Sequence, residues 1–505
     1  MKTQLGRAAT ATLRNIGIVT VLNAGVALVA FFKDIVLANY LGTSPEADSF
    51  SIAMYIPDAL GNNLIAAAIH SACVPLFARA AAGERNPAVA KAAAHALGAG
   101  LAVFAAVAVA VPWLAALFHT GESARLTRIL LWLMLPTVLV FPLKAVAQAA
   151  LQAEKRFHRP AAAPILFNAV WLFAAAACAA AGVGREAGAM WISVGFTAGV
   201  CAGLYYLREP LLRSLREIRS GLPRIALWGT TIPYAGVLLG TQAVFFVERY
   251  FAARLGEAVV AGLTYAFRLS QVPIWTAIAA INAVMLPTLS EEMAGRRLEE
   301  AGRTLSRAIA AGLAVTLPTA ALLYILREPA IAVLFQRGAF DEASTRLTSL
   351  VLEGYAWAIP LQATALIGLR YYLAKGRLRV PLLIAGGGAA VTVAADWALI
   401  PAFGPAGIGY GAALGACLQA ALYLALLAGR ERMVDGEAAR RMLRIFAANA
   451  VAAAAVARLA ALEPVRAGLA DGVERWLWLP ALAAAYAALV SAAAWLFGKR
   501  RGERT

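Results

Sequence analysis

The sequence predicts an all-α integral membrane protein: about fourteen transmembrane helices in two pseudo-symmetric six-helix lobes, followed by two further C-terminal helices. Three observations predict it. The chain of 505 residues is 61% hydrophobic with a mean hydropathy of +0.71 and is only 14% charged, well short of a soluble chain of this length. Its apolar runs last about 20–30 residues and are rich in Ala and Leu, which suits helices and excludes the short alternating strands of a barrel. One block opening also occurs twice, as FFKDIVLANYLG at 31–42 and FFVERYFAARLG at 245–256. In each, a Phe pair leads to an acid (Asp34, Glu248), and Leu-Gly follows seven residues after it. Repeated halves that cross a membrane in the same direction are a transporter pattern.

The first run, 15–41, follows Lys2, Arg7 and Arg14 and is too long for a signal-peptide core, so it reads as a retained helix. The second, 46–78, carries Pro57, Gly61, Asn62 and Asn63, which predict a broken or loosened helix near its middle. Irregular backbone at membrane depth belongs where it lines a cavity or packs in protein. Runs at 89–118, 123–152, 158–182 and 187–208 complete a first lobe, 1–208. The basic connector 209–223, within LREPLLRSLREIRS and beyond, predicts a short amphipathic helix on the cytoplasmic membrane surface. A second lobe, 224–430, follows with runs at 224–255, 259–289, 301–327, 342–373, 378–402 and 405–430. The region 431–505 holds a pair of Ala-rich helices, 438–461 and 475–498, suited to lipid contact or packing, and a basic tail.

The net charge of +17 does not indicate nucleic acid, because Lys and Arg sit mostly in short connectors between apolar runs. Alternate connectors differ in basic content by roughly three to one, which predicts cytoplasmic termini and a rim that attracts anionic lipid. Cys73, Cys178, Cys201 and Cys417 all fall in apolar runs without CxxC spacing, so neither disulfides nor zinc are expected.

Charge inside the runs marks the candidate site, since an ionised group at mid-bilayer costs several kcal/mol unless paired or hydrated. The basic residues are Lys33, Lys144, Arg249, Arg268, Arg307 and Arg370, and the acids Asp34, Asp48, Asp58, Glu248 and Asp396. The neighbours Lys33–Asp34 and Glu248–Arg249 also fit local pairing or snorkelling at span ends, and Arg307 fits snorkelling. Arg268 lies mid-run in AGLTYAFRLSQVPIW, five residues before a potential bend at Pro273. Asp396, in VTVAADWALIP, suits binding of a sodium ion or carriage of a proton, or else capping of polar backbone.

At these residues the chain resembles the lipid II flippases of the MurJ/MviN family, within the superfamily of multidrug and lipid-linked oligosaccharide exporters. The resembling stretches are FFKDIVLANYLG, EADSFSIAMYIPDAL through CVPLFA, YAFRLSQVPIW with VMLPTLS, VLFQRGAFDEAST at 333–345 and GLRYYLAKGRLRVPLLI. The resemblance implies fourteen helices, two six-helix lobes around a cationic cavity, and a lipid groove formed by the last two helices. It carries the family's basic residue and acid of the first helix onto Lys33 and Asp34, its acid after the first Leu-Gly onto Asp48, and its eighth-helix arginine onto Arg268. The chain departs from the pattern at Gly61 and Asn62, where the family usually has an Arg pair, at Ala66 and Ala67, where it has Glu-Gly, and at Ala27, where it has Arg.

The resulting expectation is a flippase that moves a polyprenyl-diphosphate-linked precursor, lipid II or a related lipid-linked oligosaccharide, outward across a bacterial cytoplasmic membrane by alternating access. Lys33 and Arg268 would hold the diphosphate, with Asp34, Glu248 and Arg249 beside them. Asp48, Asn62 and Asn63 would contact sugar or peptide, and Asp396 would couple Na+ or H+ unless the membrane potential suffices. No cofactor or resident metal is expected, and the partners would be the lipid-linked glycan, membrane lipids and envelope-synthesis proteins, with the chain as a monomer. The alternative is a drug/cation antiporter of the same superfamily, which favours acids over Arg in its cavity. An inert scaffold for an envelope synthase is a further reading. A membrane-embedded enzyme is disfavoured by four scattered histidines (His70, His95, His119, His158) and the lack of a DxD-like cluster.

Overall fold

A computed structural model describes residues 2–81, 83–216, 227–377 and 379–499. They form helices throughout: α1 (Lys2–Leu41), α2 (Pro45–Pro57), a π-helical segment (Asp58–Ala66), α3 (Ala67–Arg79), α4 (Arg85–Phe118), α5 (Gly121–Met134), α6 (Thr137–Ala153), α7 (His158–Ala180), α8 (Arg185–Leu207) and α9 (Glu209–Arg216). The second half continues with α10 (Trp228–Leu255), α11 (Val259–Ala294), α12 (Leu298–Ile325), α13 (Arg327–Phe335), α14 (Glu342–Ala374), α15 (Arg379–Phe403) and α16 (Pro405–Ala425), which ends in a π turn (Leu426–Arg430). The last elements are α17 (Gly436–Ala460), α18 (Glu463–Ala470) and α19 (Arg475–Lys499). Among the described residues, 12 helical stretches are long and apolar enough to cross a membrane. The two other expected spans are occupied by α10 and α11, of 28 and 36 residues.

The chain separates into two compact units, Met1–Gln242 with Arg337–Ala339, and Ala243–Gln336 with Phe340–Thr505. In the first, α1 extends well before the expected start at 15, so Lys2, Arg7 and Arg14 lie on the helix rather than in a tail. The second span begins at a built cap: Ser44 Oγ accepts from Ala47 N at 3.2 Å, and Pro45 takes the first helical position, where a missing N–H costs nothing. Its middle is loosened and not broken, one of the two outcomes expected of Pro57, Gly61, Asn62 and Asn63. Beyond Pro57 the backbone widens for nine residues into a π-helix and then returns to α. A π segment absorbs the donor that proline removes while keeping the rest of the ladder satisfied, and such segments concentrate at functional positions. Gly61 fits the close approach of α6, since a Cβ there would meet Phe141 at 3.0 Å and the Val138 backbone at 3.1 Å.

The amphipathic connector forms α9, and its expected continuation over 217–223 lies outside the described residues. Pro210 and Ser214 face inward while Leu212 and Leu215 are exposed, the arrangement of a helix lying in a membrane interface. Ion pairs fasten it: Glu209 receives Arg156 through two bonds of 2.7 and 2.8 Å and also binds Arg159, while Arg213 donates to Glu154 at 2.7 Å. The expected basic tail residues Arg500, Arg501 and Arg504 also lie outside the described residues.

In the second unit the core is built from Ile278, Leu289, Leu305, Ile309, Ile359, Ile367, Tyr371 and Tyr423, drawn from α11, α12, α14 and α16. The C-terminal pair α17 and α19 packs through Val456, Leu482 and Tyr486, and the Tyr486 hydroxyl donates to the Asn449 carbonyl at 3.1 Å. Two short helices, α13 and α18, interrupt connectors that the sequence reading left without structure.

Candidate functional site

In the first unit, α1 sets Lys33 against α7. Lys33 is 4% exposed, its ammonium lies 3.0 Å from Asp34 Oδ1, and it sits 3.7 Å from the centre of the Trp171 ring. The acid and the ring face together offset part of the cost of burying the charge. Trp171 is itself held edge-on by Phe196 and tilted against Phe50 and Phe167. Asp48, 2% exposed, lies in the first turn of α2, where the helix dipole favours a carboxylate.

The π-helical segment groups Asn62 and Asn63 with a residue the sequence reading noted only as a buried acid. Asp58 accepts from Asn62 Nδ2 at 3.1 Å and from Asn63 Nδ2 at 3.0 Å. Their spacings of four and five residues match one wide turn, so the pattern D-x-x-x-N-N carried the signal. Lys144, on α6, interacts with Asp58 electrostatically, and Lys33 does so more weakly.

In the second unit, α10 carries Glu248 and Arg249 side by side but uses them differently. Glu248, 1% exposed, accepts a 2.7 Å hydrogen bond from the Tyr355 hydroxyl of α14. Arg249 Nη1 donates to the Phe245 carbonyl at 3.0 Å. Asp396 of α15 is fully buried, and among the described residues neither of its carboxylate oxygens has a hydrogen-bond partner. It senses the charge of Glu248, and a Cβ at Gly411 of α16 would collide with it. Glu248 and Tyr355 are thus hydrogen-bonded, with the charges of Asp396 and Arg249 acting on them through space, a chemistry suited to a small cation or an exchangeable proton. Arg268 is half-buried ten residues into α11, one turn before Gln271, which donates to Gln362 of α14 at 3.0 Å. Among the described residues, no group of three or more His, Cys, Asp or Glu side chains is arranged to hold a metal ion.

The family model described as lipid II flippase MurJ matches residues 37–467. That range takes in every expected site residue except Lys33 and Asp34. The chain is 27% identical over 448 residues to the probable lipid II flippase MurJ of Rhizobium meliloti, covering 86% of this chain and 84% of the relative. It is 27% identical over 409 residues to the lipid II flippase MurJ of Burkholderia cenocepacia, covering 77% and 78%. Among solved structures, lipid II flippase MurJ in an inward closed conformation superposes with a TM-score of 0.78 at 18% identity, over 95% of this chain and 99% of that one. An inward-facing multidrug MATE transporter superposes with a TM-score of 0.68 at 16% identity, over 80% and 94%. These two likenesses establish a shared fold.

Proposed function

The chain belongs to the lipid II flippase MurJ family, and on that premise we propose that it carries the polyprenyl-diphosphate-linked peptidoglycan precursor lipid II from the inner to the outer leaflet of a bacterial cytoplasmic membrane. The family match across 37–467 is the observation that carries this reading. Buried cations in both units support it, since they would repel an organic-cation substrate.

In the mechanism, Lys33 and Arg268 hold the diphosphate, Arg268 through the paired donors of its guanidinium and Lys33 as a point charge. Asp34 keeps Lys33 charged and oriented between turnovers. Asp48 contacts sugar or peptide, as do the oxygens of Asn62 and Asn63, whose amide nitrogens already serve Asp58. Arg249 adds positive charge beside Glu248. Glu248 works with Asp396 instead of the headgroup: Na+ or H+ enters between the two carboxylates and is released as access alternates, so that headgroup and ion never cross bare hydrocarbon. The termini are cytoplasmic, the polyprenyl tail stays in lipid beside α17 and α19, and the chain acts as a transporter that makes or breaks no covalent bond.

Complementation tests the reading. The gene is expected to sustain growth of a cell whose own lipid II flippase is depleted. Failure there, with rescue of a polysaccharide-export mutant, moves the substrate to another lipid-linked glycan. Cation-driven efflux of organic cations in place of either result returns the chain to the drug antiporters.

A further inference from the structure

The geometry points to Lys144 as a second headgroup contact in the first unit: its ammonium takes a phosphate oxygen of the lipid-linked diphosphate, and Asp58 balances that charge when no ligand is present. The inference rests on the flippase reading and adds a residue to the same site.

Gly61 allows α6 to approach the π-helical segment until Phe141 touches it. Lys144 follows Phe141 by three residues and so shares that face of α6. The lysine is half-buried, with its ammonium 5.0 Å from the Phe141 ring centre and 5.9 Å from that of Phe167. Asp58 acts on it through space and not by a hydrogen bond, because Asn62 and Asn63 already hold the Asp58 carboxylate. The carboxylate is fixed and the lysine is the mobile partner.

An ammonium within a membrane span, set over two aromatic rings and an acid that acts on it only through space, is costly. Lys33, by contrast, has a carboxylate in direct contact, that of Asp34. Lys144 is instead half-buried, flanked by apolar rings that exclude competing water, and faces the widened backbone of the π-helical segment. An anionic oxygen completes its coordination. Free phosphate offers the same oxygen, so the test separates the sources.

The experiment measures headgroup translocation of fluorescent lipid II in vesicles against lipid II concentration, with and without inorganic pyrophosphate, for the wild type, Lys144→Met, Lys144→Arg and Asp58→Asn. Loss of one charge-assisted contact should raise the half-saturating lipid II about tenfold in Lys144→Met while the maximal rate falls less than about threefold. Lys144→Arg should restore it to within about threefold, and Asp58→Asn should lower it by removing the resident counter-charge. Pyrophosphate competing with the wild type but not with Lys144→Met marks the free anion as a ligand of the same lysine, while no competition assigns the contact to the lipid alone; both support the inference. An unchanged half-saturation in Lys144→Met overturns it, as does an Arg variant as impaired as the Met variant. A wild type that moves no lipid II removes the flippase reading itself.

Discussion

The hydroxyl of Tyr355 on α14 donates a 2.7 Å hydrogen bond to Glu248 on α10, and Asp396 of α15 acts on both through space. A buried acid without a donor, within electrostatic reach of a second buried acid, binds a cation or a proton more readily than it stays ionised and empty. Asp396→Asn is expected to flatten the dependence of headgroup translocation on a Na+ or pH gradient by about tenfold, with lipid II binding at equilibrium nearly unchanged. Gradient-driven vesicle assays beside direct binding read the two effects separately. Equal loss of both, or of neither, removes the coupling role.

Tyr355→Phe takes away the single hydroxyl that serves Glu248 and leaves the packing against Phe267 in place. Leaving a buried acceptor unsatisfied costs about 1–3 kcal/mol. The variant should melt at lower temperature in detergent, and Tyr355→Phe combined with Glu248→Gln should lose less than the two single changes added together. Additive losses would show that the two side chains are independent.

Gly61 faces the α6 backbone so closely that any side chain must displace it. Gly61→Val is expected to destabilise the protein by about 1–3 kcal/mol through overpacking. Thermal unfolding of the purified variant checks this, and a melting temperature equal to wild type contradicts the packing described here.

Glu209 fastens α9 outside the spans, and its hydrogen bonds to Arg156 hold its carboxyl down to about 2. A carboxyl depressed in the folded state contributes stability that is full above its unfolded value, near 4.5, and disappears as pH falls toward 2. The contribution is small, because the side chain is over a third exposed and solvent screens the pair. Distances from spin labels on α9 should therefore broaden between pH 4.5 and 2 in the wild type, and be broad at all pH values in Glu209→Gln. A pH-independent, narrow distribution in both would show that burial of Pro210 and Ser214 suffices.

The spans were legible in the sequence because hydrocarbon imposes a length on apolar runs and forces their backbone into helices; α4, 85–118, was expected from 89 and α14, 342–374, from 342. The helical path before residue 15 was not, since the apolar signal fades there while the backbone continues. Pro57, Gly61 and the two asparagines marked the place where the second span loosens, but not that the loosening takes the form of a π segment. Asp58 was visible as a charge and not as the partner of Asn62 and Asn63, because that contact depends on the wide turn. Glu248 and Asp396 act on each other through space across 148 positions of chain, with no local pattern to announce it. The short helices α13 and α18 fall below the length at which periodicity separates helix from loop.

In the mechanism we propose, buried cations hold the diphosphate of a lipid-linked headgroup while it crosses. Arg268 is the residue that the sequence pattern and its half-buried place within α11 both single out. Its replacement in purified protein, reconstituted into vesicles with fluorescent lipid II, is the direct measurement. Arg268→Ala should reduce headgroup translocation at least about tenfold, with Arg268→Lys between it and wild type; translocation by Arg268→Ala at the wild-type rate would contradict the account.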